Sequence, residues 1–216
     1  MLSFLMLIFC QPVGEVAQET RRIVFLSEDA GKLPSTWERA HTGEGEGSVW
    51  KVVTDKTTPS GSGAALAQTA AGPNQLYNLA TLKDSQFLNG TIAVRLKAIE
   101  GKLDQGGGIV WRYQDANNYY LARFNPLEDN FRVYHVVNGK RTQLGTEEKL
   151  TFPNIQWHTL SITHDGNMIT CTLNGKQYLK VEDKTISKPG RVGLWTKADA
   201  QTRFDALEIQ GTGDNK

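Results

Sequence analysis

Cysteine is almost absent from this chain of 216 residues, which contains only Cys10 and Cys171. Two cysteines cannot build a disulfide framework, and a chain of this length needs none because it can bury roughly 70% of its unfolded surface. Excess charge of one sign is also missing, since the formal net charge is +1. Without a basic excess to attract phosphates, nucleic acid is not an expected partner. Hydrophobic residues make up 39% of the chain, which indicates a folded domain with a sizeable core.

Long apolar runs are absent as well. The segment Leu2–Phe9 has eight residues, of which only Ser3 is polar. A membrane-spanning helix needs about 20 apolar residues, so no integral membrane span is expected. Eight residues suit the hydrophobic region of a secretory signal, although no basic residue precedes them and no A-x-A site follows. We predict a signal peptide over residues 1–18, a domain over residues 19–216, and export to the periplasm or the extracellular space.

The patterning after residue 23 is that of β-strands. Apolar and polar residues alternate along 91–96 and along 157–163, and further short apolar segments recur every 8–12 residues. Asn174-Gly175 is the strongest short signal for a β-hairpin turn. No stretch shows sustained helical periodicity, and no linker divides the chain. The prediction is an all-β fold, a single antiparallel β-sandwich over residues 23 to 211 with a short polar tail.

Several motifs, in order, carry a family resemblance. They include Gly107–Asp115 (GGIVWRYQD), Asn118–Asn125 (NYYLARFN), Trp157–Leu160 (WHTL) and Val192–Asp199 (VGLWTKAD). Together they resemble the bacterial concanavalin A-like jelly-roll family that is named after 3-keto-disaccharide hydrolases and often labelled family 16 glycoside hydrolase. The resemblance covers nearly everything after residue 23. It implies a concanavalin A-like jelly roll and activity on 3-keto-glycosides.

The chain departs from the positions that the resemblance implies for catalysis. Active members carry a Tyr-Glu-x-Gln strand and a later Leu-Gln-x-His stretch, which align with Tyr120–Arg123 and Leu194–Lys197. Leu121 then replaces the glutamate, while Trp195 and Lys197 replace the glutamine and the histidine. Leucine cannot transfer a proton, and no strand carries the Glu-x-Asp-x-Glu signature of family 16 glucanases. We therefore assign no catalytic residue and expect a domain without catalysis.

Strand parity nevertheless predicts a binding face. Tyr120, Ala122 and Phe124 share one side of their strand and are expected to face the other sheet. The opposite side carries aromatic, Arg, Asn and Lys side chains, which can contact the C–H faces and the hydroxyl groups of sugars. The predicted ligand-binding residues are Trp111, Arg123, Asn125, Asn130, Arg132, Tyr134, Trp195 and Lys197. Trp111 is included although its strand is apolar on both parities.

Three functions remain open at this point. The first is a carbohydrate-binding or glycan-associated module without catalysis. The second is a hydrolase or lyase on 3-keto-glycosides or other glycosides, with Glu128, Asp129 and Asp199 as the candidate carboxylates. The third is a structural cell-surface domain, in which arginine–carboxylate pairs would fill the open face.

The remaining candidates are assigned to structure. Cys171 shares a strand face with apolar residues and is expected to be an inert core thiol, and His158 to be a packed histidine, whereas His164 precedes a turn and is expected in solvent. No His-x-His spacing supports a transition metal site, and no cofactor is expected. Glu28, Asp29 and Asp205 are the candidate ligands for a structural calcium ion, because calcium prefers oxygen ligands.

Overall fold

The computed structural model describes residues 20–212. The predicted signal peptide and the polar tail after residue 212 lie outside the described residues. The described part contains fifteen strands and one short 3-10 helix, Ser27–Asp29. The strands are β1 Arg21–Ile23, β2 Trp37–Thr42, β3 Trp50–Thr54, β4 Ala64–Gln68, β5 Tyr77–Leu82, β6 Asn89–Glu100, β7 Gly107–Asp115, β8 Asn118–Asn125, β9 Asn130–Val137, β10 Lys140–Glu148, β11 His158–Asp165, β12 Met168–Leu173, β13 Lys176–Glu182, β14 Arg191–Lys197 and β15 Gln201–Thr212.

The strands form two antiparallel sheets. The first sheet has the order β13-β12-β11-β6-β15-β4-β3, with β1 added along β15, and the second has the order β10-β9-β8-β7-β14-β5-β2. Neighbours such as β14 and β5, or β6 and β15, are far apart in the chain, as a jelly roll requires. The fold is thus the predicted single antiparallel β-sandwich of concanavalin A-like type.

Alternation along β8 shows how the second sheet divides its two faces. Tyr120, Ala122 and Phe124 belong to the large core cluster between the sheets, as predicted. Tyr119 and Leu121 point to the opposite side and join a second, smaller buried cluster on the outer face of the seven-stranded sheet. Both faces are therefore apolar at the middle of the sheet. Each large side chain that is fully buried there contributes roughly 1.5–3 kcal/mol of transfer free energy.

The hairpin prediction is also confirmed. Asn174 and Gly175 connect β12 to β13, and both have positive φ, 52° and 79°. Two consecutive positive φ values are what a two-residue hairpin turn of type I′ needs, and Asn-Gly adopts them with the least strain.

Trp111 does not lie on the predicted outer face. Its side chain belongs to the core cluster between the sheets, with none of its surface exposed. The indole stacks on Tyr120 at a centroid distance of 5.5 Å, and its Nε1 donates a hydrogen bond to His164 Nδ1 at 2.9 Å. An indole N–H that enters a core needs a buried acceptor, and His164 supplies it. The expectation that His164 is solvated is wrong, because its ring is buried where it accepts this hydrogen bond. His158 is packed as expected.

Cys171 is fully buried on β12, and burial raises the pKa of its thiol. Because the thiolate is the reactive form, we expect Cys171 to react with a thiol reagent only after the domain unfolds. A full-length Cys10→Ser variant makes Cys171 the single thiol. Its labelling in native buffer should be about 100-fold slower, or more, than in guanidinium chloride. Labelling at similar rates in both solutions would contradict the buried assignment.

Candidate functional site

Polar side chains gather on the outer face of the seven-stranded sheet, near the hairpin that connects β8 to β9. Arg123 and Asn125 follow the outward parity of Tyr119 and Leu121 on β8. On β9, Arg132 lies opposite Arg123 and Asn130 lies opposite Asn125. The strand register therefore places two arginines and two asparagines side by side. We call Asp104, Arg123, Asn125, Glu128, Asn130, Arg132 and Lys197 the polar cluster.

Arg123 is the most buried cation of the cluster, with 2% of its surface exposed. Its Nη2 donates to Glu128 Oε2 at 2.9 Å. Its Nε and Nη1 are buried and have no hydrogen-bond acceptor among the described residues. Burial lowers the pKa of Arg123, but the charges of Asp104 and Glu128 outweigh it, so the pKa is raised and the guanidinium stays charged. A buried charge with two free donors is costly unless an acceptor arrives from outside the chain.

Glu128 connects the two arginines. Besides Arg123, it accepts from Asn130 Nδ2 at 3.1 Å and lies 3.5 Å from Arg132 Nη1. Partial burial raises the pKa of Glu128, but these donors lower it to about 2. Arg132 also pairs with Glu148 at 3.0 Å. Glu128 is thus an ionised carboxylate at neutral pH, held by hydrogen bonds from Arg123 and Asn130 and by an ion pair with Arg132.

Asp104 lies at the other end of the cluster and is 1% exposed. Asn125 Nδ2 donates to its Oδ1 at 3.1 Å, and Lys197 Nζ lies 3.3 Å from its Oδ2. Burial raises the pKa of Asp104 by more than the charges of Arg123 and Lys197 lower it. Asp104 and Glu128 therefore have pKa values that their surroundings shift in opposite directions.

Asp199 holds the loop that carries Asp104. Its carboxylate accepts from the backbone N–H groups of Lys102, Leu103 and Asp104 at 2.7–3.1 Å. These bonds lower the pKa of Asp199. Of the three carboxylates suspected from the sequence, Asp199 thus fixes a loop and Glu128 lies in the cluster. Asp129 is a turn residue with φ 50°, whose carbonyl accepts from Leu150 N–H.

Arg141 lies beside the cluster and packs against three aromatic rings, those of Tyr77, Tyr134 and Trp195. Its guanidinium carbon is 4.5 Å from the ring centroid of Tyr134, 5.0 Å from Tyr77 and 6.0 Å from Trp195. Trp195 and Tyr77 pack together at 5.6 Å. Trp195 has no exposed surface and Tyr134 only 3%. In this arrangement the rings support Arg141 from below, by cation–π attraction, and do not themselves present a stacking face to solvent.

Seven of the eight residues predicted as ligand-binding are brought together here. They are Arg123, Asn125, Asn130, Arg132, Tyr134, Trp195 and Lys197. Trp111 is the exception, since it lies between the sheets. Contact with a ligand stays a prediction for the other seven. Asn125 is largely occupied within the chain, because its Oδ1 also accepts from the N–H groups of Leu127 and Glu128 at 2.9 and 3.2 Å.

Sequence reasoning missed Asp104, Arg141 and Tyr77. Asp104 lies in a loop, where strand parity says nothing about direction. Arg141 lies on the edge strand β10, whose alternation of apolar residues is weak. In the sheet, Arg141 pairs with Val136, which belongs to the outer apolar cluster. This pairing places Arg141 on the same face.

The candidate calcium ligands are not assembled into a site. Asp205 is fully buried and accepts from the backbone N–H and the hydroxyl of Ser60, each at 2.8 Å. Within residues 20–212, no group of three or more His, Cys, Asp or Glu side chains is placed to hold a metal ion. The carboxylate of Asp205 instead anchors the loop that precedes β4.

Fold and cluster together define a jelly-roll β-sandwich with a polar cluster on the outer face of one sheet. A family model for the 3-keto-alpha-glucoside-1,2-lyase-like domain matches residues 27–210. The chain therefore belongs to that family, as its motifs indicated. A comparison with curated proteins gives no significant match.

Solved structures agree on the fold. The carbohydrate-binding module CBM66 from Bacillus subtilis superposes with a TM-score of 0.64 and 16% identity, covering 81% of this chain and 96% of that one. The Bacillus licheniformis β-glucanase has a TM-score of 0.55 and 11% identity, with 85% and 96% covered. Domain 4 of AbnA, an extracellular arabinanase from Geobacillus stearothermophilus in complex with arabinotriose, has 0.55 and 13%, with 89% and 91% covered. At such identities the likeness establishes the fold alone.

Proposed function

We propose that this chain is an exported carbohydrate-binding domain without catalytic activity, and that its ligand binds at the polar cluster. The observation that carries the proposal is Arg123, a charged side chain that is 98% buried on the outer face and has two nitrogens without an acceptor within residues 20–212. Sugars supply hydroxyl oxygens in the close spacing that such donors need. Asn130 Oδ1, which is also buried and has no partner among the described residues, can accept from a hydroxyl group.

The residues at the family's catalytic positions support the absence of catalysis. Leu121 has no exposed surface and packs in the outer apolar cluster with Trp195. Lys197 is bound to Asn74 Oδ1 at 2.6 Å and to Asp104. Leu121 and Trp195 cannot transfer a proton as a glutamate does, and Lys197 is occupied by Asn74 and Asp104.

The structural neighbours are consistent with this proposal. One neighbour is described as a carbohydrate-binding module, and the arabinanase domain is described in complex with arabinotriose. Export fits the apolar segment at the start of the chain. Within residues 20–212, no helix has the length and the apolar character that crossing a bilayer demands.

A glycan array followed by calorimetry on the full chain tests binding. We expect Lys197→Gln and Arg132→Gln, both at partly exposed positions of the cluster, to weaken binding by about 10-fold or more, because each removes a charged hydrogen-bond donor. Lys180→Gln, a matched lysine substitution on the exposed side of β13, should leave the affinity unchanged. Binding that survives both cluster variants would place the ligand elsewhere. The absence of any binding would favour the structural alternative, whose arginine–carboxylate pairs are present at this face.

The hydrolase or lyase alternative is favoured by one observation. Glu128 bonds to Arg123, and the charge of Arg123 also acts on Asp104. The pKa of Asp104 is raised and that of Glu128 is lowered, as in pairs of carboxyl groups that act as acid and base. Release of sugar from bound glycans on long incubation, abolished by Asp104→Asn, would establish this activity. No release in the wild type supports the non-catalytic domain.

A further inference from the structure

We propose that the ligand of the polar cluster is an acidic saccharide, one that carries a carboxylate or a sulfate group. The inference rests on the proposed function and narrows it to a substrate class. It follows from the balance of charges and from the kind of polar atom that lacks a partner at this face.

Cations outnumber carboxylates at the site. Four cationic side chains lie there, Arg123, Arg132, Arg141 and Lys197. Three carboxylates, Asp104, Glu128 and Glu148, form four ion pairs with three of these cations, Arg123, Arg132 and Lys197. Arg141 forms no ion pair with any carboxylate among residues 20–212, so one positive charge on this face has no counterpart.

Among the described residues, five buried side-chain atoms of the polar cluster and Arg141 lack a hydrogen-bond partner, of which three are donors and two, Asp104 Oδ2 and Asn130 Oδ1, are acceptors. Arg123 Nε and Nη1 and Arg141 Nη1 are all buried without an acceptor among the described residues. A guanidinium group and an anionic oxyacid group frequently form two parallel hydrogen bonds, which adds energy and fixes the geometry. A hydroxyl oxygen can accept up to two of these hydrogen bonds, but it brings no charge. A carboxylate or a sulfate group offers several acceptor oxygens together with the missing negative charge.

Arg141 is held ready for such a group. The rings of Tyr77, Tyr134 and Trp195 surround its guanidinium at 4.5–6.0 Å, and cation–π attraction holds it in place. Rings attract a cation but cannot accept the hydrogen bonds that its N–H groups direct sideways. The donors of Arg141 therefore stay available at a fixed position, which reduces the entropy lost when an anion binds.

The test compares acidic oligosaccharides with their own neutral forms. The full chain is titrated with uronic acid oligomers and their carboxyl-reduced counterparts, and with sulfated oligosaccharides and their desulfated counterparts. We expect the acidic form of one series to bind at least about 10-fold more tightly, with an affinity that falls as NaCl rises. The series that shows this preference identifies the anionic group.

The Arg141→Gln variant tests whether Arg141 recognises the anionic group. Arg141 is half-buried on an edge strand, and its replacement leaves every ion pair of the cluster intact. We expect it to reduce the preference for the acidic form by about 10-fold or more, because Arg123 alone then faces the anionic group. Lys140→Gln, the same change of charge at the adjacent exposed position of β10, should preserve the preference.

The possible outcomes distinguish a failure of the acidic-ligand proposal from a failure of the proposed carbohydrate-binding function. Equal or tighter binding of the neutral forms, or an unchanged preference in Arg141→Gln, overturns the acidic ligand and leaves a carbohydrate-binding domain. Binding to no glycan of either kind overturns both.

Discussion

Replacement of Trp111 by alanine is expected to lower the free energy of unfolding by about 3–5 kcal/mol, the usual cost of removing a large buried aromatic side chain. The indole is fully buried, stacks on Tyr120 and donates to His164. Its removal therefore leaves a cavity and takes away the hydrogen bond to a buried imidazole. Guanidinium chloride unfolding followed by circular dichroism measures the loss.

Trp157→Ala is the matched control. Trp157 is half-buried, and it contacts Lys97 and Thr57 on the outer face of the first sheet, away from the core between the sheets. Its replacement should cost well under half as much as that of Trp111, because little of the space it leaves is closed to water. Equal costs for the two variants would mean that Trp111 is not part of the core.

Parity along single strands predicted much of this fold. On β8 and β9 the alternation of residues such as Tyr120 and Arg123 is clear, because one side meets the other sheet and the other side meets the polar cluster. The hairpin at Asn174-Gly175 was equally readable, since few dipeptides adopt two positive φ values. Such features depend on neighbours in sequence, and one chain is enough to see them.

Parity failed where both faces of a strand are apolar. On β7, Ile109 and Trp111 point into the main core while Val110 joins the outer cluster. The pattern of these residues alone gives no direction, so Trp111 was assigned to the wrong face. What decides its placement is His164, 53 residues further along the chain, and that pairing depends on the order of the strands in the two sheets.

For a related reason, the candidate site could be predicted only in part. Residues on β8, β9 and β14 could be grouped by parity, which gave seven residues of the site. Asp104 enters from a loop whose course is set by hydrogen bonds to Asp199, and Arg141 reaches across the sheet from its edge to Trp195. Both placements are products of tertiary structure. Only the folded structure shows that, in the described part of the chain, Arg123 has donors without an acceptor and Arg141 pairs with no carboxylate. These two observations carry the functional proposals.

His164 should make the domain sensitive to acid. Burial lowers the pKa of its imidazole to about 3, and the charge of Arg112 acts in the same direction, against a smaller opposing effect of Asp183. The Nδ1 atom accepts the hydrogen bond from Trp111, which a ring protonated at both nitrogens cannot do. In the unfolded chain the pKa returns to about 6.5. Between these values the unfolded chain binds a proton that the folded chain does not.

The sign of the effect follows from that difference. The stabilisation is complete above pH 6.5 and is lost as the pH falls from 6.5 towards 3, by about 1.4 kcal/mol for each pH unit. A His164→Asn variant keeps an acceptor near the Nδ1 position but cannot titrate. We expect it to be less stable than the wild type at pH 7, and the difference to shrink steadily as the pH is lowered to 4. Urea unfolding at intervals of half a pH unit measures both curves.

A comparison of variants separates this histidine from the carboxylates. Glu128, whose pKa is lowered, also reduces stability in acid, but it does so equally in the wild type and in His164→Asn. His41→Asn, at an exposed position on β2, should give a curve parallel to that of the wild type. If His164→Asn were also parallel between pH 7 and 4, protonation of His164 would not be linked to folding. The Trp111–His164 hydrogen bond would then need another explanation than a neutral buried imidazole.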